Sequence, residues 1–210
     1  MLNFSSIPNI VFDLGGVLLN INPEESVNQF KAIGLKDLTR IQYEYRENGL
    51  FDRLEKGLLD PDAFREEIRQ YIEAEVSDQQ IDHAWNAMLL DFPYERLTLL
   101  QELKKTHKIY LLSNTNIIHW DCYTKIIKDA HGVSLADCFE NDYYSHDMGL
   151  RKPDTAIYSE LLRAENLKAE ETLFIDDMYS NVEAARSVGM IAHHLDLEKG
   201  ESILDLFGKN

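Results

Sequence analysis

The chain has 210 residues, of which 44% are hydrophobic and 28% are charged, as in a globular protein with one cored domain and room for a small insertion. Its formal net charge of −16 argues against binding to nucleic acid or to an anionic membrane surface, since both carry the same sign. The sequence shows no secretory signal, no apolar run near the ~18 residues of a membrane span, and only two cysteines, so we expect a cytoplasmic protein with free thiols.

The first predicted element is a buried strand over the apolar residues 10–12, which end at Asp13. In an open parallel sheet, ligands bind just beyond the carboxyl ends of the strands, so Asp13 lies where a carboxylate can meet a substrate. Gly15 and Gly16 follow and let the backbone come close to that position. An ordinary polar turn fits this stretch as well, because Asp and Gly are common turn residues.

Residues 18–92 contain no convincing strand and predict a block of helices. The pattern favours one helix over residues 23–33 and a second over residues 36–48 that ends near Gly49. A third helix begins after Asp60-Pro61, and a fourth begins at Ser77, which is a suitable N-cap.

From residue 94 onward, helices and strands alternate. Strands are expected up to Leu112, near residues 143–144, up to Ile175 and over residues 191–193. This alternation predicts an α/β fold with a parallel sheet and right-handed crossovers. We therefore expect a Rossmann-like, doubly wound core of residues 1–17 and 93–210, with residues 18–92 inserted after the first strand.

Polar residues also follow the later strands. Ser113 and Asn114 can present a hydroxyl and backbone N–H groups to an anion, although they also suit a helix cap. Lys152 belongs to a basic pair before a proline, which is often only a solvated turn. Asp176 and Asp177 are adjacent carboxylates that repel each other without a cation, so they favour a hard metal ion, although an exposed acidic turn is also consistent.

Taken together, Asp13, Ser113, Lys152 and the pair Asp176-Asp177 resemble, in order and spacing, the four motifs of the haloacid dehalogenase superfamily of phosphohydrolases. The resemblance covers essentially the whole chain, and residues 12–17, 112–116 and 147–153 are similar to an α-glucose-1-phosphate phosphatase subgroup. It implies that residues 18–92 form a helical cap that closes over the active site. Glu55, in a predicted loop, is similar to the start of a Glu-x-Gly cap signature, but Gly57 fits a simple helix end equally well.

The resemblance also implies a mechanism and a ligand set. Asp13 would attack phosphorus to form an aspartyl-phosphate that water then hydrolyses, with Lys152 and Ser113 assisting. Mg²⁺ would be held by oxygen atoms of Asp13, Gly15, Asp176 and Asp177, and phosphate by Ser113, Asn114, Lys152 and Gly16. The expected partner is a small phosphorylated metabolite such as a sugar-1-phosphate, and the expected state is a monomer.

One position departs from the family pattern, because Gly15 stands where most phosphatases of the superfamily carry a second Asp. Loss of a general acid typically costs about 10²–10⁴ in rate. One explanation is that another group protonates the leaving oxygen, and the candidates are His119, His146, Asp147 and an acid of the cap. The other is that the leaving group needs little protonation. The alternatives are a 2-haloacid dehalogenase and a weakly active or non-catalytic phosphate-binding protein.

Overall fold

The computed structural model describes residues 7–37, 44 and 46–207. A single parallel sheet contains five strands: β1 (Asn9–Phe12), β2 (Lys108–Ser113), β3 (Asn141–Tyr144), β4 (Thr172–Asp176) and β5 (Ile191–His194). Their order is β3-β2-β1-β4-β5, which confirms the predicted parallel α/β fold. Because β1 is central, the residue that follows it lies between the carboxyl ends of β2 and β4.

Helices connect these strands and cover both faces of the sheet. In chain order they are α1 (Pro23–Ala32), α2 (Leu50–Glu55), α3 (Pro61–Arg69), α4 (Asp78–Asn86), α5 (Tyr94–Leu103), α6 (Ile117–His131), α7 (Ser145–Met148), α8 (Thr155–Ala164), α9 (Tyr179–Ser187) and α10 (Ile203–Leu206). Among the described residues, no helix is both long and apolar enough to span a bilayer.

Alternation along β1 shows how the sheet is buried. Ile10 and Phe12 belong to an apolar cluster with residues of α5, α6 and α10, whereas Val11 belongs to a second cluster with residues of α8 and α9. Side chains of successive strand residues point to opposite faces, so a strand covered on both sides reads as a continuous apolar run. The doubly wound arrangement therefore follows from the composition of the strands.

Helices α1–α4, which we call the inserted helices, have an apolar cluster of their own. Its centre is aromatic: the ring of Trp85 stacks on Phe51 at a centroid distance of 4.9 Å and lies 5.6 Å from Phe64. Ser77 caps α4, as predicted, and the structure adds a reciprocal hydrogen bond from the Ser77 backbone to the Gln80 side chain. Ile118 of α6 joins the same cluster, so the inserted helices pack against the beginning of α6. The domain boundaries after residues 17 and 92 stay a prediction.

The structure corrects one predicted helix and adds another. Residues 38–43 and 45 of the helix predicted over residues 36–48 lie outside the described residues, and Asn48, at φ 59°, is not helical. Helix α2 instead occupies residues that follow Gly49, where the prediction places a stop and a loop. Six residues are too few to show a helical period, so tertiary packing decides this element.

Candidate active site

A buried lysine joins the carboxylates that follow two neighbouring strands. Phe12 is paired with Ile175, so Asp13 after β1 and Asp176 at the end of β4 lie side by side. Nζ of Lys152 donates to Oδ1 of Asp13 at 2.6 Å and to Oδ2 of Asp176 at 2.7 Å. Its third donor contacts the carbonyl oxygen of Leu112, at 2.9 Å. The ammonium thereby uses all three donors to hold two carboxylates at the edge of the sheet.

The backbone of Lys152 is clamped by the side chain of Asn114. The N–H of Lys152 donates to Oδ1 of Asn114 at 2.8 Å, and Nδ2 of Asn114 donates to the carbonyl oxygen of Lys152, also at 2.8 Å. Burial by itself would lower the pKa of Lys152, but the carboxylates of Asp13 and Asp176 outweigh it and raise that pKa. Lys152 is therefore a fixed positive charge.

A third carboxylate completes the acidic group. Oxygen atoms of Asp13, Asp176 and Asp177 all lie within 4.8 Å of one another. Burial raises the pKa of Asp13 to about 7, opposed by Lys152 and reinforced by Asp176, and burial followed by the charge of Asp176 raises the pKa of Asp177 to about 6. Three carboxylates and one ammonium leave two negative charges uncompensated, which matches a divalent cation with oxygen ligands.

The two adjacent acids have different surroundings. Asp176 is fully buried and accepts hydrogen bonds from the N–H of Met178 at 2.8 Å and from Nδ2 of Asn181 at 3.0 and 3.1 Å, besides the one from Lys152. Asp177 is half-buried, and its carboxylate lies against the loop that carries Gly16. Asp176 is thus held by protein donors, while the carboxylate of Asp177 is left to meet a ligand. Asn181, although helical, is buried and orients Asp176.

The loop after Asp13 approaches the acids closely enough to require glycine. Gly16 has φ +75°, and a Cβ built there would lie 2.6 Å from Oδ2 of Asp177. At Gly15, which has an ordinary φ, a Cβ would meet Cδ1 of Ile21 at 3.2 Å. Gly16 therefore lets this loop lie against the third carboxylate, as the sequence predicts for backbone that must come close to a site, whereas Gly15 makes room for Ile21.

Ser113, the last predicted phosphate-binding residue, ends β2 and is buried. It lies one strand away from β1, immediately after Leu112, whose carbonyl oxygen contacts Lys152. The structure thus brings all the predicted site residues to one edge of the sheet: Asp13, Gly15, Gly16, Ser113, Asn114, Lys152, Asp176 and Asp177.

A family model for haloacid dehalogenase-like hydrolases matches residues 7–189. The chain belongs to this family. D-ribitol-5-phosphate phosphatase from Bacteroides thetaiotaomicron is 31% identical to it over 87% of this chain and 89% of the relative. A sesquiterpene phosphatase from Aspergillus oryzae is 30% identical over 88% of each chain.

Solved structures agree with the family assignment. A crystal structure of a haloacid dehalogenase family enzyme from Bacteroides thetaiotaomicron, in complex with magnesium and inorganic phosphate, is similar with a TM-score of 0.87 and 37% identity, covering 96% of this chain and 100% of that one. The comparisons confirm the predicted superfamily, fold class and enzyme class, a hydrolase whose relatives are phosphatases. They do not single out the sugar-1-phosphate subgroup.

The structure sorts the residues considered as substitutes for the acid missing at Gly15. His119 is buried against Trp85, with ring centroids 4.6 Å apart, and burial lowers its pKa to about 3, so at neutral pH it is an uncharged imidazole and unsuited to act as a general acid. The side chain of Asp147 is 71% exposed to solvent. The side chain of His146 is 9% exposed, and that of Glu55 is 19% exposed with a pKa that partial burial raises, so these two are less open to solvent than Asp147.

The sequence does not reveal that α2 reaches the loop that carries Lys152. Nη1 of Arg151 lies 3.2 Å from Oδ1 of Asp52, and its Nη2 lies 2.9 Å from Oε2 of Glu55. Lys56 also pairs with Asp52, at 2.9 Å. Gly57, at φ +65°, follows the helix end, and a Cβ there would lie 2.2 Å from the carbonyl oxygen of His146. The helix-end interpretation of Gly57 is therefore correct, and the same turn contacts the core.

Proposed function

We propose that this chain is a Mg²⁺-dependent phosphatase of a small phosphorylated metabolite, with Asp13 as the nucleophile. The observation that carries the proposal is the buried group in which Lys152 bridges Asp13 and Asp176, with Asp177 within 4.8 Å. The uncompensated negative charge of the carboxylates is suited to binding a divalent cation. The Lys152 ammonium and that cation together would then offset the charge of a phosphate group next to Asp13. The magnesium and phosphate in the related crystal structure support the same chemistry.

The chain's own residues would divide the work in the following way. Asp13 attacks phosphorus, the bond between phosphorus and the leaving oxygen breaks, and that oxygen departs as the alcohol after taking up a proton; water then hydrolyses the aspartyl-phosphate anhydride, which releases phosphate and restores the Asp13 carboxylate. Lys152 neutralises charge on Asp13 and on the phosphate oxygens, and Asn114 keeps its backbone in place. Ser113 and the N–H of Asn114 bind a phosphate oxygen, as does the backbone at Gly16.

For the metal, we propose Asp13, the carbonyl oxygen of Gly15 and Asp177 as direct ligands, with Asp176 positioning Lys152. The donor set consists of oxygen atoms, which Mg²⁺ prefers, and the bound ion would neutralise phosphate charge and orient it for attack. This division rests on the hydrogen bonds that already occupy Asp176.

For the substrate, we propose a sugar or sugar-alcohol phosphate, over which the inserted helices act as a cap. The ribitol-5-phosphate phosphatase relative supports a phosphorylated polyol. A sugar-1-phosphate is the alternative suggested by Gly15, because an anomeric oxygen leaves more easily than an ordinary alkoxide. A monomeric state and a cytoplasmic location stay predictions.

The test is phosphate release from a panel of sugar-1-phosphates, sugar phosphates at primary hydroxyls and polyol phosphates, with and without Mg²⁺. Wild type is compared with Asp13→Asn and with the control Asp142→Asn, which changes an aspartate of the same sheet outside the acidic group. We expect release that needs both Mg²⁺ and Asp13 and survives the control substitution. Release of halide from 2-haloacids without Mg²⁺, or no turnover of any compound, would contradict the proposal.

A further inference from the structure

A cavity of about 590 Å³ lies at the edge of the sheet opposite the candidate active site. Its lining includes Asn9 and Lys108, the first residues of β1 and β2, and Glu171, which directly precedes β4. Because these strands run parallel, their carboxyl ends, where Asp13 and Asp176 lie, form the other edge. At about 3.3 Å per residue, Asn9 is about 13 Å from Asp13 along β1, so the cavity is separate from the acidic group. Its volume is in the range of small-molecule sites.

Lysines gather at this cavity, although the chain as a whole is strongly acidic. Its lining holds four lysines and two glutamates, whereas the chain has 21 lysines and arginines against 37 aspartates and glutamates. Positive charges that outnumber their acidic neighbours repel one another, and an anion that binds between them relieves the repulsion. The excess of positive charge therefore favours an anionic ligand. The four lysines, which we call the lysine group, are Lys104, Lys105, Lys108 and Lys168.

Two members of the lysine group have no carboxylate partner in the part of the chain that the structure describes. Nζ of Lys104 donates to the carbonyl oxygens of Asp137 and Phe139, each at 3.0 Å, and an ammonium has a third donor left for a ligand. Lys108 begins β2, and it forms no ion pair with a described residue. These two lysines therefore offer uncompensated positive charge at the cavity.

The other two lysines form ion pairs that a ligand can replace. Nζ of Lys105 lies 2.6 Å from Oε1 of Glu102, and Nζ of Lys168 lies 2.9 Å from Oε1 of Glu171. All four of these side chains are at least 46% exposed, and exposed ion pairs contribute little to stability. Both ammonium groups can therefore turn to a bound anion at small cost.

The turn before β2 adds a polar atom without a partner. Nδ1 of His107 contacts Oγ1 of Thr106 at 2.8 Å, while its Nε2 is buried and has no hydrogen-bond partner among residues 7–37, 44 and 46–207. Both residues line the cavity. Folded proteins leave few buried polar atoms unpaired, so a polar ligand beside this turn would lower the cost of that unpaired atom.

Lysines stand on both sides of β1, which narrows the kind of anion. Lys104, Lys105 and Lys108 follow α5 or begin β2, whereas Lys168 precedes β4. Strand β1 lies between β2 and β4, and neighbouring strands are about 4.8 Å apart, so the two sides are about 10 Å apart. A compound with two or more phosphate groups suits this separation, because each group can contact the lysines of one side.

We propose that the lysine group binds a small compound with two or more phosphate groups, at a site separate from the acidic group. Ammonium groups bind phosphate as compact point charges, and charge-assisted hydrogen bonds of this kind are stronger than neutral ones. The volume of the cavity leaves room for an organic part beside the phosphates. The proposal does not rest on the phosphatase function, since no residue of the lysine group belongs to the acidic group.

The test is equilibrium dialysis of radiolabelled inorganic pyrophosphate against the protein in metal-free buffer. Without Mg²⁺ the acidic group keeps its uncompensated negative charge, which disfavours an anion there. Lys104→Gln combined with Lys108→Gln removes both lysines that have no carboxylate partner. The control combines Lys125→Gln with Lys128→Gln, which changes two exposed lysines of α6 outside the cavity lining.

We expect wild type to bind one pyrophosphate per chain, and to bind inorganic phosphate about 10-fold more weakly or worse. The double variant in the lysine group should bind pyrophosphate about 10-fold more weakly than wild type, and the control should stay within about 2-fold. Thermal unfolding checks that each variant folds. If the first double variant does not fold, Lys105→Gln combined with Lys108→Gln replaces it, because this pair keeps the contacts of Lys104 with backbone carbonyls.

Absence of pyrophosphate binding by wild type, or equal affinities in the lysine-group variant and its control, would overturn the site. Equal affinities of wild type for pyrophosphate and inorganic phosphate would overturn the choice of a compound with several phosphate groups. The assay measures no turnover, so its result is independent of the proposed phosphatase function.

Discussion

Replacing Gly16 by Ala tests the arrangement of the acidic group by a single methyl. The new Cβ would lie 2.6 Å from Oδ2 and 2.8 Å from Cγ of Asp177, and Gly16 has φ +75°. The carboxylate would have to retreat by about 0.8 Å to reach the 3.4 Å at which ordinary contact begins. An alanine at positive φ also costs about 1–2 kcal/mol of stability wherever it is placed.

Gly132→Ala separates these two effects. Gly132 follows α6 at φ +72°, and nothing lies within 4 Å of a Cβ built there, so its substitution reports the backbone cost alone. We expect both variants to be destabilised by about 1–2 kcal/mol in denaturant unfolding without Mg²⁺. Only Gly16→Ala should also weaken Mg²⁺ binding, by about 10- to 100-fold, which corresponds to about 1.4–2.7 kcal/mol. The same variant should lower kcat by up to about 100-fold, because displacements near 1 Å at a reacting centre have effects of this size.

Isothermal titration calorimetry gives the Mg²⁺ dissociation constant of wild type and both variants directly. The Mg²⁺-induced rise in unfolding free energy provides a second readout, since it depends on the ratio of ion concentration to dissociation constant. If Gly16→Ala binds Mg²⁺ as tightly as Gly132→Ala does, then Asp177 does not coordinate the metal from its position in the structure. That result would refute the proposed ligand set.

Three further predictions concern the neighbours of the site. Asp177→Asn should weaken Mg²⁺ binding more than it lowers kcat at saturating Mg²⁺. Asp176→Asn removes a carboxylate that pairs with Lys152, so it should lower kcat even at saturating Mg²⁺. Steady-state titrations of both variants with Mg²⁺ check this contrast, and identical profiles would contradict it. Burial lowers the pKa of His119 to about 3 in the folded state, whereas the ordinary pKa of 6.5 applies in the unfolded state. As the pH falls below 6.5, the unfolded chain therefore takes up a proton that the folded chain does not, and the free energy of unfolding decreases. His119→Phe should therefore lose about 2 kcal/mol less than wild type between pH 6.5 and pH 5 in urea unfolding, and parallel losses would show that the imidazole is accessible. Asp52 is 3% exposed and accepts hydrogen bonds from both Lys56 and Arg151. Asp52→Asn should therefore destabilise the chain by about 1–3 kcal/mol and raise KM for the substrate. A midpoint of chemical unfolding equal to that of wild type would contradict this role of the ion-pair network.

The position of the site could be predicted from the sequence because it depends on rules that act locally. Asp13, Ser113 and Asp176 each end an apolar run, and parallel strands bring their carboxyl ends to the same edge of a sheet. The parallel α/β fold therefore followed from the alternation of helices and strands, and the meeting of these residues followed from their positions at strand ends together with the family resemblance, whereas the strand order was seen only in the structure. Lys152 was placed with them by its family motif, and the structure puts its ammonium between the two carboxylates.

What only the tertiary structure decided is how the inserted helices meet this edge. Helix α2 is six residues long, and its stability comes from packing Phe51 and Leu54 rather than from a pattern visible in the chain. The pairing of Arg151 with Asp52 joins residues 99 positions apart. No local preference encodes such a contact, because it forms only after both segments have been positioned by separate apolar clusters. For the same physical reason, the ion pair of Glu55 with Arg151 and the clamp of the Asn114 side chain on Lys152 emerge only from the folded chain.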